Sequence, residues 1–373
     1  MFNKLSLRKN EYMLNGRFAR KGYDWWWHSL TARSKATGEE KAFYIEYFII
    51  NPKVSPDKVV LGQSQEAKEK KLKPSYLMIN VGTWGKVHKQ LHRFFPLNEV
   101  TIHKCPISII AGDCELDENH LKGSVDVKKN VDGDMSDLGS MSWNLKVHKD
   151  VAWNVGYGTS RAFCDLKAFE MYWHAEGMKS TFEGTIFFDG EEYIVNKENS
   201  YGYQDKNWGS DFTTPWLWLS SNNITDNVTG KQLNNSVFDI GGGKPKVFGI
   251  SLPRKLLAGY YIEGKEYEMN FSKFLTHPCE TTFSFDDSSS EYVHWHVIQT
   301  DKHYKIVTDV TCFKKDMIMI RYETPTGKMP FTHLNNGGNG FGTLKIYELK
   351  TNKLIHDLII KNVGCEYGEF DNQ

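Results

Sequence analysis

Tyr201-Gly202-Tyr203-Gln204-Asp205-Lys206-Asn207-Trp208-Gly209 is the stretch around which the rest of the chain is organised. It packs two tyrosines, an acid, a base, two amides and a tryptophan into nine residues with two glycines, and the run Trp216-Leu217-Trp218-Leu219 follows shortly after. Surface loops are rarely this aromatic, and core strands rarely carry Asp, Lys and Asn together. The stretch is therefore either a polar knot inside a core or the wall of a pocket.

Working outward, the chain has 373 residues, too many for one small core and suited to two domains. Lysine plus arginine and aspartate plus glutamate are 46 each, so no general electrostatic case for nucleic-acid or anionic-membrane partners arises. Twenty-two Phe, 18 Tyr and 11 Trp in a chain of polar mean hydropathy point to strands with an aromatic inner face and a polar outer one. The first residues, Met1 to Asn15, lack an apolar secretory core, and no apolar run is long enough to span a bilayer. The six cysteines are scattered without a paired spacing, as in a reduced, cytoplasmic protein.

Along the chain, Tyr23–Leu30 and Phe43–Ile50 read as a hairpin around Thr37-Gly38. Gln63 to Lys73 is a charged run, read as a solvated excursion or a short exposed helix. Lys86 to Phe95 has apolar residues at helical spacing and stops at Pro96, which predicts one short helix. Beyond it, short strand-like pieces alternate with Gly, Asp and Asn turns to the C-terminus, as in a barrel or sandwich. A weak echo relates Trp25–Ser29 to Trp216–Ser220. The two units would close at Tyr203–Gly209 and at Gly364–Gly368, which puts a boundary between residues 1–210 and 211–373.

Familiar catalytic and nucleotide motifs are missing: there is no HExxH, no Walker loop, no dinucleotide fingerprint and no GxSxG elbow. His88 and His92, on the predicted helix, and His294 and His296, on one strand face, have no evident further ligands, so no metal site is expected. Acids, histidines and phenols among aromatic strands remain. Alternation puts Asp24, Trp26 and His28 on one strand face and Trp25 and Trp27 on the other. Glu46 either meets solvent or sits among Tyr44 and Phe48. In the second case poor solvation raises its pKa and fits it for protonating an alkene. Asp205, Lys206 and Asn207 form either a structural clamp or, with Tyr203, a phenol–carboxyl pair facing a cavity; His174 and Glu176 are a similar alternate pair.

Tyr203 to Gly209, followed by Pro215-Trp216-Leu217-Trp218, resembles the signature of tocopherol cyclases and their bacterial relatives. Gly184 to Glu191 resembles the strand and turn that precede it there, and Pro325-Thr326-Gly327 and Val363 to Gly368 resemble that family's C-terminal half. Asp24-Trp25-Trp26-Trp27 is more distantly similar to the opening strand of carotenoid hydratases and other lipocalin-like proteins. The resemblance implies an all-β chain of two lipocalin-like antiparallel barrel or sandwich domains around an apolar cavity, acting without a cofactor on isoprenoid or polyketide alkenes. A tyrosine and an aspartate of the hydratase motif fall on Tyr203 and Asp205.

The resulting expectation is a cyclase, hydratase or isomerase working by acid catalysis on a hydrophobic small molecule, with Asp205, Tyr203 and Glu46 as catalytic residues. Trp26, Trp208 and Trp218 would stabilise a developing cation, and His28, His174, Glu176 and Asn207 would help line the site. The alternatives are a non-catalytic carrier of a hydrophobic ligand and a carbohydrate-binding sandwich with tryptophans on its surface.

Overall fold

Strand Gly202–Gly209 lies inside a large antiparallel sheet. On one side it pairs with Gly22–Ser34, Trp27 opposite Asp205 and Trp26 opposite Lys206; on the other it pairs with Met171–Phe188, Trp173 opposite Asn207. Its terminal glycines are steric requirements. A Cβ on Gly202 would stand 2.3 Å from the Phe182 ring, and one on Gly209 would stand 2.0 Å from the Glu170 carbonyl oxygen. The computed structural model describes residues 2, 7–51, 69, 75–129, 136–154, 165–271, 278–320, 324–325 and 331–370. Apart from Glu69, the charged run Gln63 to Lys73 lies outside them.

The chain is all-β, as its aromatic alternation predicts, with two large antiparallel sheets and only short helical turns among the described residues. The strands between Gly22 and Gly209 make a 12-stranded sheet, and those between Trp216 and Phe370 an 11-stranded one, apart from Lys246–Val247 and Ile250–Ser251, which pair with each other alone. In each, the opening strand pairs with the closing one: Tyr23 to Ser29 with Tyr203 to Gly209, and Trp216 to Ser220 with Gly364 to Gly368. The first sheet curls over itself. Arg93, on strand Lys89–Pro96, donates to the Ser124 carbonyl of strand His120–Val127 at 3.0 Å, and the Tyr47 hydroxyl lies 2.9 Å from Glu115 O.

Tyr76–Thr83 is buried along its whole length and Glu40–Asn51 along all but its first two residues. Both faces of these strands are covered, which explains why Phe43 to Ile50 is apolar without a period of two. Tyr292–Thr300, by contrast, alternates, with Val293, Trp295 and Val297 buried and its other face partly solvated. The sheets are packed on one another. One core cluster holds Trp27 and Trp173 of the first sheet together with Trp218, Val237 and Ile320. Trp84 Nε1 donates to Asn336 Oδ1 across the junction at 2.8 Å, and Asn222 Nδ2 to Gly202 O at 2.7 Å.

The helix expected at Lys86 to Phe95 is corrected. Lys89–Pro96 is a strand paired with Tyr76–Thr83, Leu91 opposite Val81 and Phe95 opposite Leu77. The run is short enough to fit either period, and a partner strand paired along its whole length outweighs weak helical spacing. With the helix goes the shared face of its histidines: His88 is exposed, and His92 is buried with its Nε2 2.7 Å from Gln90 Nε2.

Candidate active site

Between the two sheets lies a narrow cleft that encloses a cavity of about 70 Å³. The first sheet contributes Trp25, Trp27, Met171, Trp173, Asp205 and Asn207, the second Trp216, Leu217, Trp218, Gly241, Gly242, Asn336 and Glu366, and Thr213 comes from the connection. Its lining has the pattern of small-molecule sites, apolar walls with a few convergent polar groups.

Strand alternation decides which candidates reach it. Tyr203, Asp205 and Asn207 share one face of Gly202–Gly209, and Asp205 and Asn207 are on the cleft wall. Gln204, Lys206 and Trp208 take the other face, where Lys206 pairs with Asp24 beneath the Trp26 ring and Trp208 stacks on Tyr172. The same parity takes Trp26, His28, His174 and Glu176 away from the cleft. Trp26 Nε1 donates to Asn10 O at 3.0 Å, and His174 Nε2 meets Glu176 Oε2 at 2.5 Å inside the first sheet. Of the first strand's tryptophans, Trp25 and Trp27 line the cleft. The two faces of the strand thus differ: on one, Lys206 is ion-paired with Asp24 and not with its neighbour Asp205, and on the other the Asp205 carboxyl lines the cleft.

Glu46 is fully buried and not solvent-facing. It stands one strand beyond Trp27 in the cross-strand row Asp205–Trp27–Glu46–Asn80. Its Oε2 accepts from Asn80 Nδ2 at 2.7 Å, and neither Glu46 Oε1 nor Asn80 Oδ1 has a partner among the described residues. A proton on the carboxyl would give these two acceptors a donor. Burial pushes the Glu46 pKa up to about 8.

Three further acids share this condition, and each is held by an indole. Trp173 Nε1 donates to Asp205 Oδ2 at 2.8 Å, Trp218 Nε1 to Asp239 Oδ1 at 3.1 Å, and Trp216 Nε1 to Glu366 Oε2 at 3.1 Å. Burial raises Asp205 and Glu366 to about 7 and Asp239 well above the ordinary carboxyl value, and no lysine or arginine offsets the shift in any of them. Tyr203 joins two of the acids, its hydroxyl 3.2 Å from Asp205 Oδ2 and 3.1 Å from Asp239 Oδ2. A hydroxyl has one proton. If Tyr203 donates to one carboxyl it must accept from the other, which requires that other to be protonated. Asp205 Oδ1 has no partner among the described residues.

Asp239, Glu366, Trp173, Trp216 and Asn336 are absent from the sequence-derived set. A signal existed for two of them. Asp239 is a lone acid in the apolar run Val237–Ile240, and Glu366 lies in the closing stretch that echoes Tyr203–Gly209.

A stability prediction follows from Glu46. Its folded pKa is raised, so its contribution is full below the unfolded value near 4.3 and is lost as pH rises through about 8. Wild-type protein is expected to unfold at lower urea at pH 9 than at pH 6. Glu46→Gln, which keeps an acceptor for Asn80, should gain on the order of 3–5 kcal/mol over wild type at pH 9, at about 1.4 kcal/mol per pKa unit. Equal urea midpoints for the two proteins at pH 9 would contradict the buried neutral carboxyl.

Fold and cleft together define an all-β protein with an acid-bearing, tryptophan-walled pocket between two antiparallel sheets. A family model described as tocopherol cyclase-like matches residues 53–369, and the chain belongs to that family. Among solved structures, a Nitrosomonas europaea protein provisionally described as AttH is similar at 11% identity, over 97% of this chain and 95% of that one, with a TM-score of 0.47. CghA, solved with Sch210972, is similar at 11% identity over 95% of this chain and 90% of that one, with a TM-score of 0.49. No curated protein matches the sequence. Among the described residues, no helix is long and apolar enough to cross a membrane.

Proposed function

We propose that the chain is a cyclase, hydratase or isomerase that protonates an alkene of a hydrophobic isoprenoid or prenylated phenolic substrate in the cleft between the sheets. The observation that carries this reading is Asp205: a buried carboxyl raised to about 7, with one oxygen unpartnered, in a wall of tryptophans. Half of such a group is protonated at neutral pH, which suits a general acid.

In the reaction proposed, the Asp205 proton passes to one alkene carbon as the π bond breaks, leaving a cation on the other. The faces of Trp25, Trp27 and Trp218 stabilise that charge. A phenol oxygen of the same molecule, or a water, then forms the new C–O bond and returns its proton to the Asp205 carboxylate. Ring closure is thus an isomerisation with no net proton change, and hydration adds one water. Tyr203 ties Asp205 to Asp239, so the phenol positions the Asp205 carboxyl through the cycle. The apolar walls limit water and favour closure by an internal nucleophile. On this reading the units 1–210 and 211–373 are two domains, with the site at their junction.

The test is incubation of the purified protein with prenylated phenols in D2O, followed by mass spectrometry. The expected product is either an isomer of the substrate with one carbon-bound deuterium in place of the phenolic hydrogen, or the substrate plus one heavy water with one of its deuteriums on carbon. A ligand that co-purifies or binds but returns unchanged, without deuterium on carbon, would instead favour the carrier. Quenching of tryptophan fluorescence by sugars and not by lipids would favour the carbohydrate-binding reading.

A further inference from the structure

On the face of the second sheet turned away from its core, His294 and His296 are two apart on strand Tyr292–Thr300, and neighbouring strand Tyr304–Phe313 places Asp309 opposite His296. The sequence offers this histidine pair no third ligand; strand pairing supplies one. Among the described residues, these three form the one group of such side chains whose donor atoms all lie within 4.8 Å of one another. Each is about one-third exposed, so an ion can reach them.

We propose that His294, His296 and Asp309 form a binding site for a borderline divalent transition-metal ion of the zinc or copper class. Two imidazoles and a carboxylate suit such ions, and the hard oxygen-seeking cations suit them less. The spacing is close to what coordination needs. Bond lengths of about 2.0–2.2 Å put neighbouring tetrahedral ligands roughly 3.4 Å apart, and His294 Nε2 is 3.5 Å from Asp309 Oδ1. His296 Nδ1, now 2.6 Å from the same oxygen, is hydrogen-bonded to it and would open by roughly 1 Å to admit the ion.

Two neighbours support the arrangement. Thr311 Oγ1 lies 3.1 Å from His294 Nδ1, which occupies that nitrogen and leaves Nε2 for the ion, the kind of partner that fixes a ligating histidine's tautomer. Asp286 is in register beside His294 on the edge strand Glu280–Asp286 and adds a second carboxylate to the patch. The nearby Lys314 ammonium is engaged with the Asp287 carbonyl at 2.6 Å. The three ligands leave at least one coordination position open, as in zinc sites that exchange a water or accept an outside ligand. None of them lines the cleft, so the site stands or falls apart from the activity proposed above.

Metal-free protein, prepared with a chelator, would be titrated with Zn2+ against a chromophoric competitor. Wild type is expected to retain one equivalent. His294→Ala/His296→Ala and Asp309→Asn should each weaken binding by at least about tenfold, the loss that even supporting partners of a metal site carry. His303→Ala, on an exposed turn, serves as the control and should leave binding unchanged. With Cu2+, electron paramagnetic resonance should count two nitrogen ligands in wild type and one in His296→Ala. No zinc retained by wild type, equal zinc affinity in wild type and the double variant, or a nitrogen count indifferent to His296 would each overturn the site and leave a hydrogen-bonded surface pair.

Discussion

Asp205→Asn is expected to lower turnover about 10²–10⁴-fold, the usual contribution of a positioned proton donor, with little change in substrate affinity. The amide keeps the shape and can still accept from the Trp173 indole, but it has no acidic proton to give. Wild-type rate should also fall as pH rises through about 7, because Asp205 is active in its protonated form and loses it across that range. Tyr203→Phe removes the link to Asp239 and should reduce the rate less than Asp205→Asn, since the donor itself remains. Steady-state kinetics across pH 5–9, a window roughly two units either side of that value, would check all three. Unchanged turnover in both variants would remove Asp205 from the chemistry.

Lys206→Met is expected to destabilise the protein by about 3–5 kcal/mol, the cost of leaving one partner of a buried ion pair without the other. Lys206 and Asp24 are both fully buried and in contact, and the ammonium lies 3.6 Å from the centre of the Trp26 ring. Burial raises Asp24 and lowers Lys206, yet near pH 7 both keep their charges because each is the other's main compensation. Asp24 also accepts from the Met13 backbone at 2.7 Å, so the pair fastens the N-terminal segment to the sheet. Adding Asp24→Asn to Lys206→Met removes the stranded charge and should recover most of the loss. Urea unfolding of the single and double variants reads this directly. A Lys206→Met protein within about 1 kcal/mol of wild type would show that the pair is not buried as described.

The two substitutions lie on adjacent residues, yet one acts on turnover and the other on stability, and this shows what the sequence could and could not reveal. Alternation alone separates Asp205 from Lys206, and Trp25 and Trp27 from Trp26. It does not say which face meets a ligand, because that depends on where the second sheet packs. Trp26, His28, His174 and Glu176 were grouped with the site for this reason; they share the right chemistry on the wrong side of the strand. Glu366 reaches the cleft, and Asp239 reaches the Tyr203 hydroxyl, only through the second sheet's pairing, in which Trp218 lies opposite Glu366 and Ser220 opposite Asp239. No local pattern around Asp205 encodes that encounter. The all-β character was legible because it rests on composition and period. Lys86 to Phe95 reads as a helix because a short apolar run fits two periods, and in the fold a partner strand breaks the tie.

The indole tethers on Asp205, Asp239 and Glu366 have a consequence for how such a cleft can diversify. Trp173, Trp216 and Trp218 are wall and hydrogen-bond donor at once, so trimming any of them to admit a bulkier substrate also withdraws a donor from an acid and shifts its proton affinity upward. Shape and acidity are therefore inherited together at these three positions. Changes in substrate size that spare the chemistry are confined to wall residues that hold no acid, such as Met171, Thr213 and Leu217. Homologues with new specificities should differ first at those sites.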